Sequence, residues 1–466
     1  MAEPGTRDVE YADAGFAASP PNGSAPQAEM DRGWRPWKVV IGSYCLSVAV
    51  YGLLSTIGLF QTYWKEDMLK QYTDSEISWI ISMFGFLDCL IAAPAGVVFD
   101  RYGSRWVLAV NSVVYLASFV GLAFSSTYSE LMGCMVMAGV SSGTWLKRSK
   151  HESIIHWFKE KAGLATGCVT VSAALGGIFF SVVLQALFDR LPWRDAALIL
   201  TLILAVFVTL GNVLVETNLP PRHATQGEER AAGDVEISRK ACGTWQSILE
   251  MVKTPKFWLV TYAIFGEGRW MDGWVTDSDI LCVKAYELVL FVQWGSIPSY
   301  AVETNFGENQ FYLMMSYNIG AFFGRILPPF VSDRLLGPLN TTIAMNVFTL
   351  VVVLTIWLPA GATSIGMLYL VVVLMGIGTG SFVPLGVACI GALCKPQDMG
   401  KWLGFTYAIS GFATLIGNPA TGEILAKYGS DGLVSFLAAV LASGLISIGF
   451  LRWQCNGRRW LVMGRI

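Results

Sequence analysis

The chain has 466 residues, 54% of them hydrophobic and 14% charged, with nine cysteines and a formal net charge of −2. That composition excludes a charge-rich disordered chain and gives no ground for a nucleic-acid partner; cysteines scattered without ligand spacing exclude a metal centre or a disulfide framework. Apolar segments of about 20 residues, each long enough for a hydrocarbon core of about 30 Å, recur from Trp37 almost to the C-terminus, so the chain reads as an integral membrane protein.

Residues 1–35 are polar and contain Pro and Gly, with no basic stretch leading into an apolar core, so a disordered tail is expected there and not a signal peptide. Inside lipid every backbone N–H and C=O must be paired within its own segment, so the apolar runs are predicted helices. Six fall at 37–60, 77–100, 105–124, 130–146, 163–188 and 193–216, a first bundle over 36–216. The polar stretch NLPPRHATQGEERAAGDVEISRKACGTW, within a linker at 217–255, separates it from six more. These fall at 256–303 (interrupted), 309–332, 340–359, 364–393, 401–427 and 431–452, a second bundle over 256–453, before a tail at 454–466. The predicted fold class is an all-α membrane protein of twelve transmembrane helices in two six-helix bundles.

Basic residues divide unevenly between the alternate loops. One side receives the N-terminal tail, Arg101 and Arg105, the 147–161 cluster, the linker, Arg334, Lys395, Lys401 and the C-terminal arginines; the other receives Lys65, Lys70, Arg190, Arg194 and Lys427. The positive-inside rule therefore puts both termini in the cytosol, which an even number of spans requires. A multi-pass protein of the plasma membrane is expected.

Two similar strings occupy matching places in the two halves: GVVFDRYGSR (96–105) after the second helix and FVSDRLLG (330–337) after the eighth. Repeats of this kind point to a transporter with its substrate site between the halves near the midplane. The first string resembles the G-x-x-x-D-R-x-G-x-R loop of the major facilitator superfamily. The resemblance implies a gating latch of Gly96, Asp100, Arg101, Gly103 and Arg105, with Asp333 and Arg334 as counterparts. Gly96 permits close helix approach, and Asp100 can pair with an arginine or a helix N-terminus. The alternative is a positive loop that only sets topology.

Further stretches carry a narrower resemblance. HWFKEKAGLATG, GLFQTYW, SWIISMFGFLDCLIAAPAGVVFDRYG, SYNIGAFFGRILPPFVSDR and GFTYAISGFATLIGNPATGEIL resemble the monocarboxylate transporter-like members of that superfamily, in particular the fungal branch. In that family an arginine of the eighth helix binds substrate, and Arg325 matches it. Arg325 is also the one basic residue placed well inside a helix, where a charge costs several kcal/mol unless paired or facing a watery cavity. A snorkelling residue near the cytosolic end is the other reading. The positions at which proton-coupled members carry an acidic residue and a lysine are Ala321 and about Ser55 here, which puts that form of coupling in doubt. Asp88, near the middle of the second helix, is the alternative proton-coupling candidate, against a permanently protonated packing residue.

Tyr317, Asn318 and Gln293 are the remaining substrate-binding candidates, with Asn111 and Asn212 as further cavity-lining possibilities. For each an interhelical hydrogen bond serves equally well. Proline at 94, 298, 328, 329, 384 and 419 can kink its helix.

Two passages break the pattern. In the seventh predicted helix, Glu267, Arg269, Asp272, Asp277 and Asp279 interrupt an apolar run, so 267–285 reads as an atypical insert. It is either a re-entrant excursion or, the preferred reading, translated intron sequence that the mature protein lacks. The charged run at 147–152 has the same character and leaves the fourth helix at about 17 residues.

The expected function is secondary active transport of a small organic acid or related amphipathic metabolite by alternating access, leaning towards efflux of a fungal secondary metabolite. Proton-linked uptake of a monocarboxylate-like nutrient is the alternative, and a non-transporting nutrient receptor the alternative from another class. An enzyme is not expected: His151, His156 and His223 are the three histidines, none at ligand spacing. There is no phosphate-binding loop for ATP, so an ion or substrate gradient must drive the cycle. No cofactor or metal is expected. The partners are the substrate, the lipid bilayer and a proton as possible coupling ion, around a monomer.

Overall fold

A computed structural model describes residues 34–102, 104–147, 162–214, 278–393 and 399–455. Over them the chain forms twelve helical spans. In the first half these are α1 (34–66), α2 (Asp74–Tyr102), α3 (Ser104–Phe124), α4 (Tyr128–Lys147), α5 (Ala162–Phe188) and α6 (Trp193–Leu214). In the second half they are α7 (Ser278–Glu303), α8 (Gln310–Val331), α9 (338–360), α10 (365–393), α11 (399–428) and α12 (430–455). Seven candidate membrane-crossing segments pass on length and composition alone.

Local sequence explains where the helices start and break. Thr73 and Glu76 form a reciprocal cap at the start of α2: the Thr73 N–H donates to the Glu76 carboxylate at 2.7 Å, and the Glu76 N–H donates to Thr73 Oγ1 at 3.2 Å. Glu130 accepts from the Ser126 and Thr127 N–H groups, which lets α4 begin at Tyr128 and reach 20 residues, more than the sequence suggested. The α10 span is broken at Ser381 into Ile365–Gly380 and Phe382–Leu393. Pro384 supplies the reason, since it has no N–H to give the Gly380 carbonyl one turn earlier. α11 and α12 meet at Gly429, whose φ of 68° only glycine adopts cheaply.

In the seventh span the structure differs from expectation. α7 is one continuous helix of 26 residues, about 39 Å at 1.5 Å per residue. That exceeds the hydrocarbon thickness of about 30 Å. Residues 278–285 of the expected insert form its first two turns, so Asp279 and Lys284 sit at the end of the rod. Residues 267–277 lie outside the described residues, as do 148–161, the linker, 1–33 and 456–466.

Helices α3, α6, α9 and α12 form the outer layer. They expose Val113, Leu202, Val213, Leu354 and Ile446, as lipid-facing surfaces require. At the junction between the halves α2 packs on α11, α5 on α8 and α1 on α7.

Candidate functional site

The site lies at that junction, and a distortion of α1 prepares it. Residues Trp34–Ser47 are α-helical, Val48–Gly52 form a π-helical turn, and regular helix resumes at Gly58. A π-turn adds a residue to the turn and redirects its side chains, a device common at functional sites. Tyr51 of this turn donates its hydroxyl proton to Asp88 Oδ2 of α2 at 3.2 Å. Asp88 is buried, 1% exposed, in an otherwise apolar stretch.

Tyr51 and Asp88 form one wall of a cavity of about 40 Å³, with Thr170 and Ala173 of α5 beside them. The second half closes it with Phe291 and Trp294 of α7, Arg325 of α8, Val383 of the second α10 segment and Tyr407 of α11. Both halves therefore contribute, and one carboxylate and one guanidinium share the lining.

Arg325 is 5% exposed, which removes the snorkelling reading: its side chain turns into the protein and does not run out to the membrane surface. Among the described residues, its Nε and Nη1 have no hydrogen-bond partner. One turn earlier, where an acidic partner would stand, Ala321 packs against Gly380 of α10. A buried guanidinium with orphan donors calls for an acceptor to come from elsewhere.

The other binding candidates do not line this cavity. Tyr317 shares a 2.9 Å hydrogen bond with Thr379, tying α8 to α10. Asn318 lies on the same stripe of α8 as Arg325 but seven residues away, about 10 Å along the axis. There its amide donates to the Met314 carbonyl at 2.9 Å and packs beside Gly177 and Ser55. Gln293 is fully buried on α7 outside the cavity wall, and neither of its amide atoms has a hydrogen-bond partner among the described residues. Asn111 bonds the Val107 carbonyl within its own helix, and Asn212 donates to Ser112 of α3 at 2.7 Å. Sequence reasoning missed Tyr51, Phe291, Trp294 and Tyr407, because aromatic residues in apolar runs look like packing.

Asp333 and Arg334 are exposed in a π-turn at the end of α8, with the Arg334 guanidinium 4.2 Å from the Phe330 ring centre. Gly96, Asp100 and Arg101 fall on the last two turns of α2 and Arg105 on the first turn of α3. Gly103, and what the side chains of the other four meet, lie outside the described residues.

On the face opposite the ends of the described chain, the two halves touch. A Cβ on Gly58 would stand 2.5 Å from the Trp294 carbonyl oxygen, so α1 and α7 meet backbone to backbone there. Thr62 Oγ1 donates to Gln310 Oε1 at 2.6 Å, Ser75 donates to the Pro419 carbonyl at 2.9 Å, and the Phe188 and Phe311 rings lie 6.3 Å apart. The cavity is sealed on this far face.

The family model described as Major Facilitator Superfamily matches residues 39–271 and 281–458. The chain is 26% identical to MFS-type transporter 1 of Ophiocordyceps, over 93% of this chain and 90% of the relative. It is 27% identical to the MFS-type transporter hasB of Aspergillus fumigatus, over 94% and 92%. It is 26% identical to the riboflavin transporter MCH5 of Saccharomyces cerevisiae, over 92% and 80%. Among solved structures, a POT family transporter in complex with a thioalcohol-conjugated peptide superposes with a TM-score of 0.65 at 14% identity, covering 91% of this chain and 96% of that one. The nucleoside transporter NupG gives 0.62 at 14%, covering 90% and 99%.

Proposed function

The chain belongs to the Major Facilitator Superfamily and is a multi-pass membrane transporter; from that premise we propose that its substrate is a small organic anion held by Arg325 at the midplane and moved by alternating access. The observation that carries this is the buried guanidinium with Nε and Nη1 unpartnered on a cavity built from both halves. A carboxylate brings a negative charge and two acceptor oxygens to guanidinium N–H groups, a charge-assisted pairing stronger than a neutral acceptor gives. Binding between the halves also lets the ligand draw them together, which is what rocking requires.

Export of an amphipathic metabolite is the direction the sequence favours. The shared lining supports a second reading, proton-linked co-transport. An ionised Asp88 repels an anion in the same low-dielectric cavity, whereas a protonated one does not. Proton and substrate then favour each other's binding, as co-transport needs. We place both termini in the cytosol of a plasma-membrane protein from the distribution of basic residues.

Purified protein in liposomes, tested with a panel of labelled carboxylates with and without an imposed pH gradient, examines both parts. Carboxylate exchange above that of empty liposomes supports the anion reading, and accumulation on the acid-to-alkaline gradient supports co-transport. Exchange of uncharged analogues but of no carboxylate overturns the anion reading.

A further inference from the structure

We propose that the ligand of the central cavity carries an aromatic ring beside its anionic group. The inference rests on the reading of Arg325 as the anion site and adds what stands next to it. Four of the eleven lining residues are Tyr51, Phe291, Trp294 and Tyr407, a share well above the 13% aromatic content of the chain. They come from three helices in both halves, so the enrichment is not one stripe of one helix. All four stand on the lining that also holds Arg325.

The pair on α7 gives the wall a fixed shape. Phe291 and Trp294 are three residues apart on one face, their ring centres 5.1 Å apart at 72°, an edge-to-face contact that holds the indole in place. Both are more than nine-tenths buried, so the rings are held by packing before any ligand arrives. The cavity of about 40 Å³ is smaller than a six-membered ring, so the ligand is taken up when the halves open, and a planar ring then gains stacked or edge contacts with these side chains that a saturated ring of the same size cannot make. Arg325 adds to this preference, since a guanidinium both pairs with a carboxylate and lies flat against an aromatic face. An aliphatic acid uses the cation alone.

The test is a pair of ligands that differ in aromaticity and little else: benzoate and cyclohexanecarboxylate, titrated calorimetrically into the purified full-length protein. Binding is preferred to flux because neutral forms of both acids leak across bilayers. The expected result is benzoate binding about tenfold more tightly. In Trp294→Leu the preference narrows to about twofold while cyclohexanecarboxylate still binds; Phe291→Leu serves the same purpose if the first variant fails to fold. Equal affinities in the wild type, both lost in Arg325→Ala, overturn this inference and leave the anion site standing. Binding of neither acid overturns both.

Discussion

Removing the Arg325 charge leaves the Asp88 carboxylate as the sole charge on the cavity wall, and removing Asp88 does the reverse, so the two substitutions separate binding from coupling. Asp88→Asn keeps the size and the Tyr51 contact but holds no titratable proton. It is expected to exchange substrate at near wild-type rates and to lose accumulation driven by a pH gradient. Retained accumulation in Asp88→Asn would mean that the proton binds elsewhere. Both residues were legible in the sequence, because a lone charge inside an apolar run is expensive and must have a use. The aromatic wall was not legible. Tyr51 faces Asp88 through a π-turn over Val48–Gly52, and no residue in VAVYG marks that turn. Asn318 misled for a related reason: it shares a helix face with Arg325 but lies two turns deeper, where the halves already touch.

At the scale of the helices, far-face closure depends on packing more than on its hydrogen bond. A single interhelical hydrogen bond contributes about 0.6 kcal/mol, roughly threefold in an equilibrium. Gln310→Leu, which removes the bond to Thr62, should therefore alter transport by no more than a few-fold. Gly58→Val puts a branched side chain where Cβ alone would reach the Trp294 carbonyl, so the far face cannot close. That variant is expected to insert normally and lose at least about tenfold in transport, about 1.4 kcal/mol of closure. In a cysteine-depleted background, Thr62→Cys should react faster with an impermeant maleimide when Gly58 is also replaced. Equal labelling with and without the Gly58 change would contradict the closure described. On the opposite face we propose that Asp100 acts as a latch. Asp100→Ala then leaves insertion intact and lowers transport, and wild-type flux at equal surface expression would remove that role. Helix ends followed from local chemistry, through the Thr73–Glu76 cap and Gly429, whereas the break in α10 is visible in the sequence only as Pro384.

For the whole molecule, the count of twelve spans and the division into halves could be read from the apolar runs, since lipid permits few alternatives. How the halves meet could not, because the contacts of α2 with α11 and α5 with α8 join residues more than a hundred positions apart. The segment around 267–285 stays separate from this account. The family match is interrupted at 272–280, and we propose that the mature protein lacks this stretch, with 256–266 then joining the later part of α7. Mass spectrometry of the native protein decides it: peptides from 269–284 would retain the segment, and a peptide bridging its flanks would remove it. The central claim concerns the molecule's midplane, where one cation waits for an anion from outside the protein. Exchange of a labelled carboxylate into liposomes should be abolished in Arg325→Ala and partly restored in Arg325→Lys, which keeps the charge but not the fork. Unchanged exchange in both variants, at equal reconstitution, would contradict the account.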